Sequence, residues 1–127
     1  MMESQEQPIS VRLLVFSGRP DPEWPLDEAA VAALTERVQK TVGGERIHPP
    51  PAGGLGYRGF FVNSKGKEPV LPASFVVFSG VLIEQPGARA AYWRDSGGVE
   101  EFLLAEARQR GFDRMLDALG VRAKSPQ

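Results

Sequence analysis

The chain has 127 residues, 42% of them hydrophobic, with 15 Lys and Arg against 16 Asp and Glu, one His and no Cys. A single domain of this length can close a core without disulfide or structural metal, and the missing cysteines exclude disulfides, thiolate metal sites and cysteine nucleophiles. Scattered charges with a net of -1 argue against the basic face that holds nucleic acid, and no apolar run reaches the roughly 20 residues that span a bilayer.

Residues 1–8 and 122–127 are polar tails, and one domain is expected over 9–121. The opening tail has neither the basic nor the apolar part of a secretion signal, so the cytoplasm is the expected location. Ile9, Val11, Leu13 and Val15 recur at every second position with Leu14 and Phe16 between them, which predicts a well-buried strand over 9–16. Pro20, Pro22 and Pro25 then crowd into a stretch that neither a helix nor a central strand tolerates, so 17–25 reads as a shaped loop. Asp27 is a good N-cap, and Val31, Leu34 and Val38 share one face, so a helix is predicted over 27–41. Glu36 and Lys40 form an i, i+4 pair on its outside, and Gly43-Gly44 ends it.

A long Pro- and Gly-rich segment, 43–56, follows, of the kind that is either functional or mobile. Aromatic and β-branched residues over 57–62 and again over 75–83 predict two more strands, joined as an antiparallel hairpin through the polar residues 63–69. Asp95 or Ser96 caps the next helix, in which Val99, Phe102 and Leu103 share a face and which Gly111 ends. A shorter helix over 112–119 turns Phe112, Met115, Leu116 and Leu119 inward. The predicted fold class is α+β, a two-layer domain with a three-stranded, largely antiparallel sheet, helices on one face and the order βαββαα. Val15-Phe16-Ser17-Gly18 recurs as Val77-Phe78-Ser79-Gly80, which is too short to mark a repeat.

Familiar patterns fail in their context. Gly54-Leu55-Gly56-Tyr57-Arg58-Gly59 spells the dinucleotide fingerprint, but prolines precede it and a strand follows, where a strand and then a helix are required. Arg58-Gly59-Phe60-Phe61-Val62 contains part of the pattern used by RNA-recognition sheets. It lacks the small residue between the aromatics, so Phe60 and Phe61 fall on opposite faces and cannot form one stacking platform. The lone His48 precedes Pro49-Pro50-Pro51 and is too little for a zinc set. Glu100 and Glu101 are adjacent in a first helical turn, and Asp113 and Asp117 lie among Arg110 and Arg114, as on any solvated face. No catalytic group stands out, and neither cofactor nor metal is expected.

The unusual residues are aromatics and arginines in loops. Trp24, set among prolines, either folds back as a lid on the core or joins Arg19 in a recognition surface. Trp93 and Arg94 form a similar pair before a helix, and if the two loops met, both tryptophans would share one patch. Arg19 and Arg58, each beside a glycine, are suited to one shared anion. The alternative has Arg19 pairing with Asp21 or Glu23 and Arg58 lining a sheet edge. The expected function is a non-enzymatic binding domain or accessory subunit gripping a protein partner or small anionic ligand through Arg19, Trp24, Tyr57, Arg58, Trp93 and Arg94. A small enzyme using Arg, Tyr and carboxylate groups on an anionic substrate, and a homodimer joined through a hydrophobic strand edge, are the alternatives.

Overall fold

The computed structural model describes residues 9–15, 21–48, 57–64, 71–84 and 90–118. In chain order the elements are β1 (Ser10–Leu13), β2 (Glu23–Pro25), α1 (Glu28–Thr41), β3 (Phe60–Asn63), β4 (Ser74–Phe78), β5 (Val81–Glu84), β6 (Ala91–Arg94), α2 (Val99–Ala107) and α3 (Asp113–Ala118). A widened turn, Arg108–Phe112, separates the last two helices, with Gly111 at φ 96°. The class is α+β, but the sheet has six strands rather than three, in the order β2-β1-β3-β4-β5-β6, with every neighbouring pair antiparallel. The element order is accordingly ββαββββαα and not βαββαα.

Each extra strand has a local cause. Within the proline segment, Trp24 lies opposite Val11, making β2 an edge strand whose Pro25 has no amide hydrogen to waste there. The long apolar run over 75–83 is folded in two, because Ser79 and Gly80 take φ of 56° and 80° and form the tight turn between β4 and β5. Tyr92 and Trp93, expected in a loop, lie in β6 opposite Ile83 and Leu82. The outer edge of β6 is met by the segment after α1: Arg94 N donates to Glu45 O at 2.8 Å and Ile47 N to Tyr92 O at 3.1 Å.

Helix α1 starts and stops as its sequence predicts. Asp27 Oδ1 accepts from Ala30 N at 2.8 Å, and Glu36 and Lys40 form an exposed pair at 3.9 Å. Cross-strand register puts Val11, Leu13, Phe60, Val62, Phe75 and Val77 on one face of the sheet, all 0% exposed. Leu34 and Val38 of α1, Val99 and Leu103 of α2 and Leu116 of α3 close over that face in one cluster. No described helix is long and apolar enough to cross a membrane.

Val77 and Leu103 are both fully buried, one on the sheet and one on the helix above it. Changing Leu103 or Val77 to Ala is expected to cost roughly 2 to 4 kcal/mol, the transfer loss plus the cavity left behind. Denaturant unfolding of each variant checks this, and shifts under about 0.5 kcal/mol at both sites would place the core elsewhere.

Candidate functional site

At the end of the sheet where β3 begins, Tyr57 donates its hydroxyl to Glu100 Oε2 at 2.5 Å. The same carboxylate accepts from Ser79 N at 3.3 Å and Gly80 N at 3.0 Å, so one side chain from the first turn of α2 holds both Tyr57 and the β4–β5 turn. Asp95 organises the ground beneath it, Oδ1 accepting from Val99 N at 2.7 Å and Oδ2 from Glu100 N at 2.8 Å. Acidic groups suit this position because the first amides of α2 point at them unpaired.

Helix α1 reaches the same node. Thr41 Oγ1 donates to Arg37 O at 3.0 Å and accepts from Gly97 N at 2.9 Å, while Arg37 donates to the carbonyls of Gly97 and Gly98 at 3.1 and 3.3 Å. A Cβ on Gly97 would collide with the Arg37 carbonyl oxygen, so only glycine lets the two backbones approach. Gly59, beside Tyr57 and Arg58, likewise leaves no room for a side chain against the Val77 carbonyl. Burial, then the Glu100 carboxylate and its hydrogen bond, then Asp95, push the Tyr57 hydroxyl far above the ordinary phenol range. Tyr57 therefore acts as a fixed donor rather than as a base.

The other expected site residues are dispersed. Arg19 lies outside the described residues. Trp24 is 5% exposed. It stacks on Phe112 with centroids 5.6 Å apart and meets Phe60 edge-on at 6.4 Å, so it lies over the core as a lid. Arg110 sits 5.7 Å above its ring, and its buried Nε1 finds no acceptor among the described residues. Trp93 belongs to the opposite outer strand, five inter-strand steps or roughly 24 Å away, so the two tryptophans do not share a pocket. Its Nε1 donates to Glu84 at 2.9 Å and Arg46 lies 4.8 Å over its ring. Arg94 grips Glu45 through two nitrogens at 2.8 and 3.2 Å, which lowers the pKa of Glu45 and raises that of Arg94. Arg58 is half-buried beside Tyr57, its amide donating to Leu14 O at 2.8 Å.

The face of the sheet turned away from the core carries a feature that no single segment of sequence displays. Arg12 lies opposite both Glu23 and Phe61, Phe61 opposite Val76, Val76 opposite Ile83, and Ile83 opposite Tyr92. Directly opposed residues project to the same side, so Phe61, Val76, Ile83 and Tyr92 form one apolar row across four strands. All four are half-buried, and none belongs to the cluster beneath the helices. The Arg12–Glu23 pair at 3.5 Å closes one end of the row, and the Arg94–Glu45 pair flanks the other.

Comparison with models of protein families, with characterised proteins and with solved structures finds no match.

The Tyr57 clamp has a pH signature. Its proton is held more tightly in the folded chain than in the unfolded one, so its contribution is complete below about pH 10 and is lost as pH rises beyond it. Tyr57→Phe is expected to cost about 1 to 2 kcal/mol at neutral pH. Above pH 10 the wild-type chain should lose up to about 1.4 kcal/mol more per pH unit than the variant. Parallel stability curves for the two proteins from pH 8 to about pH 11.5 would refute the clamp.

Proposed function

We propose that this domain is a non-enzymatic binding module that presents the helix-free face of its sheet to a protein partner. The observation that carries this reading is the row Phe61–Val76–Ile83–Tyr92, apolar across four adjacent strands and bordered by ion pairs at both ends. A sheet face of this kind is stabilised by burial against another layer, and contiguous apolar patches on a soluble surface mark interaction sites. Aromatic anchors in such a row supply large contact area at small cost in side-chain freedom. Catalysis has less support, because Glu100 and Asp95 are occupied as backbone caps and Tyr57 is held protonated. The surface arginine Arg94 is likewise engaged, by Glu45, which leaves the loop-borne anion site with less support than the sheet face.

Photochemical carbene labelling tests the proposal residue by residue. In the dilute isolated chain, Phe61, Ile83 and Tyr92 are expected to be labelled, and in an extract of the native source their labelling should fall several-fold relative to the exposed outer face of α1. Equal labelling under the two conditions would refute it.

A further inference from the structure

Resting on that reading of the open face, we infer that its occupant is a second copy of this chain, stacked sheet on sheet about a two-fold axis. The row is self-complementary. An axis parallel to the strands, passing between Val76 and Ile83, lays Phe61 of one copy on Tyr92 of the other and Val76 on Ile83. Aromatic residues then meet at both ends and β-branched residues meet in the middle, across the roughly 10 Å that separates packed sheets. Aligned sheets cross at about 30°, a rotation that moves the ends of so short a row only slightly.

Charge at the borders fits the same arrangement. Beyond Phe61 the row continues into Arg12 and its partner Glu23. The two-fold carries this pair past Tyr92 of the other copy, toward the Arg94–Glu45 pair. There the Arg12 guanidinium can lie against the tyrosine ring, and each border offers both signs of charge to the other. With a formal net charge of -1, two whole chains approach without strong repulsion.

The sheet edges favour face over edge as the contact. The outer side of β6 already exchanges hydrogen bonds with Glu45 and Ile47 of its own chain, and β2 is three residues long and ends in Pro25. Neither offers a second copy a continuous ladder. Six strands of about four residues give a footprint of roughly 24 by 13 Å, smaller than a standard interface of about 800 Å² per partner. A contact of this size belongs to the weak, transient class, so the dimer is expected to be reversible over about 1 to 500 µM.

Sedimentation equilibrium of the full chain from about 1 to 500 µM spans that range. The mass is expected to rise from one chain toward two. Ile83→Glu should remain monomeric throughout while keeping its cooperative melt, and so should Ile83→Lys. An equimolar mixture of the two, with opposite charges meeting near the axis, should associate again. If neither charged variant folds, Ile83→Thr keeps the β-branched shape and should weaken association at least ten-fold. A wild-type chain that stays monomeric, or folded Ile83 variants that dimerise like the wild type, would overturn the second copy as occupant. The open-face reading is judged separately, since labelling protected only in the native extract keeps that face as a binding surface for another protein.

Discussion

The carboxylate of Glu100 is the joint on which the arrangement turns. It sits in the first turn of α2 yet binds the tight turn of β4–β5 and the hydroxyl of Tyr57, which leads into β3. One charged group thereby fixes the position of the covering helix over two different parts of the sheet. Asp95 and Thr41 extend the joint to α1, so both long helices are positioned by polar contacts at one end and by apolar burial along their length. Such a network is stabilising only because its members are mutually satisfied.

Fixing the helices on one side leaves the sheet asymmetric. The core face is closed by Leu34, Val38, Val99 and Leu103. The opposite face keeps aromatic and β-branched chains where an ordinary solvated face would alternate to polar residues. Phe60 and Phe61, neighbours in sequence, illustrate the division: the first is 0% exposed in the core, and the second stands in the open row. The proposed binding row is therefore a property of the sheet as a surface, assembled from residues on four different strands.

How much of this could be read beforehand followed the range of the interactions involved. Helix α1 was legible because its cap at Asp27 and the spacing of Val31, Leu34 and Val38 are local signals. The capping role of Asp95 and the burial of Val77 and Leu103 were legible for the same reason. The strand count was missed where pairing overrode composition. Pro22 and Pro25 obscured β2, which exists because Val11 and Trp24 face one another, and the Ser79-Gly80 turn was hidden inside a run of uniformly strand-like residues. The bond between Tyr57 and Glu100 was not legible, because Glu100 reads in sequence as ordinary first-turn acidity and its partners are 20 and 43 residues away. The row across the open face is a property of register, and register depends on pairings between distant strands.

The close approach at Gly97 bears on how the chain is made. Thr41 and Arg37, at the end of α1, finish their hydrogen bonding on residues 56 and 60 positions later in sequence. As the polypeptide emerges from the ribosome, the β1–β2 hairpin and α1 can take shape early from neighbouring residues. The helix end nevertheless has no seat until Asp95 to Gly98 have been translated. Vectorial synthesis thus withholds that seat from the first helix until the chain has reached Gly97, 56 positions beyond Thr41, so its docking coincides with the capping of α2. Contacts between residues so far apart in sequence form more slowly than local pairs.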